Sequence, residues 1–260
     1  MVAWATSPLS RKTGMGIVIP QELIGRLAGA RRVAVLTGAG ISAESGIPTF
    51  RDALTGLWAD YDPHQLATPE GFARNPKLVW EWYAERRRSI AGVQPNPGHL
   101  ALAALEKRFG DFTLVTQNID SLHQRAGSRE VLELHGNIAR VKCSREKTVV
   151  DEYSAEESPP RCRCGAWLRP DVVWFGEMLP TGALARAEEA AGRCEVFFSI
   201  GTSAEVYPAA DLPLRALSAG ATVVEVNPNE TALTRHAHFA LQGPSGAVLP
   251  ALLDALAAIS

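Results

Sequence analysis

Four segments of the chain are apolar almost without interruption, and they predict the fold. They are "RVAVLTG" (32–38), "FTLVTQN" (112–118), "VFFSIGTS" (196–203) and "ATVVEVNP" (221–228). Each is rich in β-branched or aromatic residues and runs out into Gly, Asn or Pro, as strands do. Their apolar positions do not alternate with polar ones, the pattern of parallel strands buried on both faces. Helical spacing lies between them. "PGHLALAALEKRFG" opens on Pro and closes on Gly, as helix boundaries prefer, and "TGALARAEEAAGR" and "DLPLRALSAG" read likewise. Strand and helix in alternation predict a Rossmann-like, doubly wound α/β sheet with right-handed crossovers.

Two stretches break this rhythm. Residues 53–97 are helical and aromatic-rich with no obvious strand partner, and residues 139–171 hold charges and clustered cysteines around "ESPPRCRCG". The expected organisation is an N-terminal extension and first helix (1–30) and a large domain from 31–52, 98–138 and 172–260. The two irregular stretches form a smaller, inserted module, part helical and part zinc-ribbon-like. The first sixteen residues, "MVAWATSPLSRKTGMG", read as a flexible extension, with Met15 a candidate start, and lack the apolar core of a signal peptide.

Composition narrows the partners. The 260 residues carry a net charge of -2, so no global basic field argues for nucleic acid as the main partner. No apolar run is long enough to span a bilayer. A cytoplasmic location and a monomer are the expectations. Cys143, Cys162 and Cys164 fall in one short segment, which points to metal rather than a disulfide framework. Cys194 precedes a core strand and reads as a buried apolar residue.

The first strand runs into Gly38-Ala39-Gly40-Ile41-Ser42-Ala43, a G-x-G-x-x-A turn. Its glycines would permit a tight turn and close approach to a pyrophosphate held at a helix N-terminus. An ordinary strand–helix turn has the same pattern. The acidic residue that a hydride-transfer enzyme places after its second strand is not evident here, which counts against an oxidoreductase.

The motifs "GAGISAESGIPTFRD", "TQNIDSLHQRAG", "LHG", "RPDVVWFGE", "GTS" and "VNPN" occur in the order and spacing of the sirtuin family, over residues 30–250. The chain resembles these NAD-dependent protein-lysine deacylases, which cleave the nicotinamide–ribose bond and transfer the acyl group to ADP-ribose. The resemblance implies NAD as cofactor. Asn118 and Asp120 would face the nicotinamide, Gln117 its ribose, and His135 would be the general base. Phe50 would be a lid over the reactive sugar, with Arg51 and Ser42 holding the cofactor beside Gly38, Ala39, Gly40, Ala43, Glu44 and Ile119. Gly201, Thr202 and Ser203 would meet the phosphate–ribose region, Asn227, Pro228 and Asn229 the adenosine ribose, and Ser245 the adenine. Val173, Trp174, Phe175, Gly176 and Glu177 would wall an acyl-lysine tunnel in which a substrate peptide adds as a strand. Asn118 and His135 are thus the expected catalytic pair.

The family's usual zinc site has four cysteines in two close pairs, and here Glu146 stands where the second would be. Zn²⁺ on Cys143, Cys162 and Cys164 with Glu146 or another fourth group, a weak site, and no site all remain open.

"VWEWYAERRRSI" (79–90) departs from a generic deacylase. Asn75-Pro76 is a helix start and Gly92 a stop. At 3.6 residues per turn Val79, Tyr83, Arg86 and Ile90 share a stripe, Glu81 and Arg88 lie opposite, and Arg87 sits on a solvated edge. Tyr83-x-x-Arg86 also resembles the pair with which one sirtuin subgroup grips the carboxylate of succinyl- or malonyl-lysine. The expected function is desuccinylation and demalonylation with some deacetylation. The alternatives are mono-ADP-ribosyl transfer and a non-catalytic NAD-sensing module.

Overall fold

The computed structural model describes residues 17–48, 63–154 and 156–259. Six parallel strands form the main sheet, in the order β3-β2-β1-β6-β7-β8. They are β1 (Arg32–Thr37), β2 (Asp111–Thr116), β3 (Val131–Glu133), β6 (Val196–Ile200), β7 (Thr222–Asn227) and β8 (Phe239–Gln242). Two further strands, β4 (Gly136–Cys143) and β5 (Leu168–Val172), pair antiparallel in a separate sheet. The chain winds outward from β1 to β2 and β3, then restarts at β6 on the other side of β1. The switch point therefore lies between β1 and β6, where open α/β sheets bind ligands.

Burial on both faces explains the unbroken apolar runs. In β1, Val33 and Val35 pack with Leu23 and Leu27 of α1 (Gln21–Gly29), Leu102 and Leu105 of α6 (Pro97–Arg108), and Leu249 and Leu252 of α10 (Ser245–Ala257). The alternate residues, Ala34 and Leu36, face the other layer. There they meet Ala187 and Ala190 of α8 (Thr181–Arg193) and Leu212 and Ala216 of α9 (Leu212–Ser218).

The smaller unit holds α3 (Pro63–Leu66), α4 (Pro69–Arg74), α5 (Pro76–Ala91) and the β4–β5 sheet. Its core joins Leu66, Phe72, Val79, Tyr83 and Ile90 to Ile138 of β4, Val172 of β5 and Trp174. The helical stretch thus packs on β4 and β5, which lie beyond its own sequence. As expected, α5 starts at Pro76, with the Asn75 side chain accepting from the Leu78 amide at 3.1 Å, and stops before Gly92. Two short helices, α2 (Ala39–Ala43) and α7 (Leu122–Arg125), carry site residues.

Candidate active site

The glycine turn is built against β6 more than against open space. Gly38 N donates to Ile200 O at 3.0 Å and Gly40 N to Gly201 O at 2.9 Å. A Cβ on Gly40 would sit 2.7 Å from Gly201 Cα, and one on Gly38 2.8 Å from Gly201 O. Gly201 itself has φ +60. The glycines therefore let the β1–α2 turn and the end of β6 touch backbone to backbone. The amides of Gly38 and Gly40 are both engaged in this contact. Gln117 leaves β2 beside this junction and lines a cleft with Thr202, Ser203, Ala204 and Val206.

The segment after β2 is tied down from both sides. Asn118 Nδ2 donates to Gly38 O (3.0 Å) and to Ser42 Oγ (3.1 Å), and Ser42 Oγ donates to Asp120 Oδ2 at 2.7 Å. Asp120 Oδ1 accepts from Leu122 N, so it also caps α7. Burial pushes the Asp120 carboxyl above its ordinary value, against the pull of these hydrogen bonds. Ser121 sits at φ 63, the left-handed region, and makes the sharp turn that leaves Asp120 pointing back at Ser42. Ile119 packs at the edge of the smaller unit's core, and its carbonyl accepts from Ile138 N.

His135 follows β3. Its Nδ1 lies 2.9 Å from Gln117 O; a carbonyl only accepts, so Nδ1 carries the hydrogen and Nε2 keeps a lone pair. Burial lowers its pKa, so the ring is neutral at pH 7 and able to take a proton. The glycine that follows is dictated by geometry: a Cβ on Gly136 would fall 2.1 Å from Asp171 O. Val173 N donates to His135 O, which joins the expected tunnel wall to the base.

Three other expected cofactor residues contact the protein itself. Glu44 Oε1 accepts from Ser245 Oγ and Gly246 N, both at 2.9 Å, so Glu44 and Ser245 clip α2 to α10. Asn227 Nδ2 donates to Thr202 O at 2.8 Å, and its Oδ1 takes the Asn229 amide. Ala39 and Ala43 bound α2, and Pro228 follows β7. Phe50 and Arg51 lie outside the described residues.

The "VVWFGE" segment is braced underneath. Arg169, 1% exposed, pairs through both terminal nitrogens with Glu177 (2.7 and 2.8 Å), donates to Val172 O, and stacks 3.3 Å from the Trp174 ring. Glu177 also accepts the Trp174 amide, so its carboxylate supports the wall from within. Phe175 N donates to Ala67 O, and its side chain is half exposed. Gly176, at φ +82, makes the turn.

Trp174 Nε1 donates to the Tyr83 hydroxyl at 3.0 Å. The acceptor side of that hydroxyl is thereby used and its hydrogen points elsewhere, and burial pushes its pKa up to about 12. Arg86 is half-buried and lies 4.7 Å over the Trp82 ring; its Nε has no hydrogen-bond partner and no carboxylate pairs with it among the described residues. Arg87 differs from expectation. It is half-buried, donates from Nε to Ile138 O at 2.6 Å and lies over Trp80. Helical phase fixes its angle; the strand that covers it comes from elsewhere in the chain. Arg88 is exposed as expected.

The ligand atoms of Cys143, Glu146, Cys162 and Cys164 all lie within 4.8 Å of one another. Cys143 Sγ and Cys164 Sγ are 3.5 Å apart, and Cys162 Sγ lies 3.7 Å from Glu146 Oε2. A tetrahedral zinc with bonds near 2.3 Å needs edges of about 3.8 Å, so the donor set fits the ion. Cys194 stands apart, buried, and donates to Ala191 O.

Some site-forming residues are not singled out by the sequence: Arg169, Thr37, Thr116, His99 and His123. Their signal was a polar residue at an apolar phase, such as His99 three residues after the cap Asn96 and one turn before Leu102.

Topology and site together define the class: a doubly wound α/β protein with a crevice at its switch point, where proteins of this architecture bind ligands. The Sir2 family model matches residues 38–208, and the chain belongs to that family. The protein of Methylococcus capsulatus named NAD-dependent protein deacylase is 53% identical over 245 residues, covering 90% of this chain and 96% of that one. NAD-dependent protein deacylase 1 of Pseudomonas aeruginosa is 54% identical over 237 residues, 87% of this chain and 95% of its own. A solved Sir2 homologue–NAD complex superposes with a TM-score of 0.87 at 44% identity, covering 95% of this chain and 97% of that one.

Proposed function

We propose that the chain is an NAD-dependent protein-lysine deacylase that prefers acyl groups ending in a carboxylate, succinyl and malonyl, and retains some deacetylation. The deacylase activity follows the curated relatives, which are about half identical over nearly the whole chain. The acyl preference rests on Arg86: a half-buried cation with no internal carboxylate among the described residues, three positions from a tyrosine whose hydroxyl accepts from Trp174 and donates to no group among the described residues. A carboxylate entering between them would accept from both, and a guanidinium matches it geometrically. An acetyl group offers such a pair nothing to bind.

NAD, when bound, supplies the ribose carbon that receives the acyl oxygen and releases nicotinamide. In this reading the crevice lined by Gln117, Thr202 and Ser203 holds it, with Asn118 and Asp120 facing the nicotinamide end. His135 Nε2 accepts the ribose hydroxyl proton, and its Nδ1–H bond to Gln117 O holds the ring in the basic tautomer. The wall from Val173 to Glu177 guides the acyl-lysine past Trp174 toward Tyr83 and Arg86. Zinc on Cys143, Cys162, Cys164 and Glu146 would brace the β4–β5 sheet and take no part in acyl transfer.

The test is turnover of succinyl-, malonyl- and acetyl-lysine peptides with NAD by wild type and Arg86→Met, followed by mass spectrometry. Acylated ADP-ribose should form, and the variant should lose the acidic acyl groups selectively. Equal loss on all three peptides, or undiminished succinyl turnover, would refute the role of Arg86.

A further inference from the structure

Two buried histidines lie behind the segment that carries Asn118 and Asp120, and neither has a part in the chemistry above. His99 on α6 is fully buried and His123 on α7 is 1% exposed. Their rings lie 4.9 Å apart, centroid to centroid.

Two hydrogen-bonded paths leave this pair, and both end on Asn118. From His123, Nε2 lies 2.9 Å from Thr37 Oγ1, which donates at 2.8 Å to Thr116 Oγ1, which accepts the Asn118 backbone N–H at 3.0 Å. From His99, Nε2 lies 3.4 Å from Ser42 Oγ, which accepts from Asn118 Nδ2 at 3.1 Å and donates to Asp120 Oδ2 at 2.7 Å. One path holds the main chain of Asn118 and the other its side chain.

Donors and acceptors can be assigned throughout. Gly38 O can only accept, so Asn118 Nδ2 must face it, which settles the amide flip. Ser42 gives its hydrogen to Asp120, so its oxygen accepts from Asn118 and from His99 Nε2–H. Thr37 gives its hydrogen to Thr116, so it accepts from His123 Nε2–H. Nδ1 of both rings has no partner among the described residues, consistent with these tautomers. Burial holds the rings neutral, with pKa values of about 4 for His99 and about 3 for His123.

We infer that His99 and His123 are positioning residues that set the rotamer of Asn118 and the direction of the Ser42 hydroxyl. With both Nδ2 hydrogens committed to Gly38 O and Ser42 Oγ, Asn118 has only Oδ1 left for a ligand. Removing the His123 donor leaves the buried Thr37 oxygen without a donor, and removing the His99 donor leaves Ser42 fixed by Asn118 and Asp120 alone; either change loosens the Asn118–Asp120 turn. The inference rests on the reading that Asn118 and Asp120 meet the nicotinamide end of the cofactor.

The test uses the full chain with His99→Phe and His123→Phe, which keep a ring in place but remove the donor. His99→Gln and His123→Gln restore an N–H near Nε2. Exchange of labelled nicotinamide into NAD reads the reactive end, and the Kd of ADP-ribose, which lacks nicotinamide, reads the rest of the cleft. The Phe variants should lose exchange and kcat about 10- to 100-fold, with the ADP-ribose Kd changed by less than about 3-fold. The Gln variants should recover most of the loss. Ser42→Ala combined with His99→Phe should be no worse than Ser42→Ala alone. If a Phe variant does not fold, Thr37→Val cuts the His123 path without disturbing the rings and should give the same selective loss. Exchange within 2-fold of wild type in the folded variants, or a parallel collapse of ADP-ribose binding, overturns the inference. An Asn118→Ala variant separates this from the site reading: if it keeps full exchange, the reading of Asn118 fails; if it loses exchange while the histidine variants keep it, only the positioning role fails.

Discussion

In the proposed reading Arg86 and Tyr83 make different contributions to one carboxylate, and their variants should differ accordingly. Arg86→Met removes a charged, two-pronged donor, so succinyl-lysine kcat/KM should fall about 100-fold while acetyl-lysine changes by less than about 3-fold. Tyr83→Phe removes one neutral donor and leaves Trp174 Nε1 without its acceptor; succinyl turnover should fall about 10-fold, with a modest loss of stability. His135, as the proposed base, should set the pH dependence. Burial lowers its pKa, and the base is active only when neutral, so kcat/KM should be full at pH 7 and decline on acidification through a midpoint below 6.5. A midpoint above 6.5 would contradict a base whose pKa is lowered by burial. The stripe joining Tyr83 to Arg86 was legible in the sequence because 3.6 residues per turn fixes which side chains share a face. Arg87 was not, because its partners, Ile138 O and the Trp80 ring, depend on where β4 runs.

Whole elements were legible where burial is two-sided. β1, β2, β6 and β7 announce themselves because helices cover both faces and most of their positions are buried and apolar. β3 and β8 escaped, being edge strands of three and four residues with too little pattern to register. β4 and β5 escaped because "GNIARVKC" and "LRPDV" carry the ion pairs of Arg140 and Lys142 with Asp171. Contacts between elements were equally invisible. Glu44 and Ser245, expected at the cofactor, also join α2 to the N-terminus of α10, where a carboxylate suits the helix dipole. Glu44→Ala should cost about 1–2 kcal/mol and lower the melting temperature by a few degrees, measured without cofactor. The cysteine module makes a separate prediction. Glu146→Ala should weaken zinc retention against a chromogenic chelator while leaving three thiolates, and Cys164→Ser should weaken it further. Identical zinc release from wild type and Glu146→Ala would remove Glu146 from the ligand set.

At the scale of the whole molecule, the switch point between β1 and β6 holds the crevice proposed for the cofactor, and the histidine pair behind it ties folding to pH. Both rings have folded pKa values well below the ordinary 6.5, about 4 and about 3, so between those values and 6.5 the unfolded chain binds protons that the native chain refuses. Stability is therefore complete above pH 6.5 and falls as the pH drops toward 4, by an amount on the order of several kcal/mol. His135, lowered in the same direction, adds to the slope. The paired carboxylates Glu177 and Glu195, whose folded pKa values are lowered, lose their contribution only below about pH 4.5, their unfolded value. Asp120 opposes the trend, because its raised pKa favours the native state as it protonates. In the window from pH 6.5 to 4.5 the loss of stability thus comes from the histidines, with Asp120 working against it. Urea unfolding of wild type across that window should show a midpoint that declines steadily with acid, and His123→Phe, less stable at pH 7, should show a visibly shallower decline. Equal slopes in the two proteins would mean that the buried pair takes up its protons without unfolding the chain.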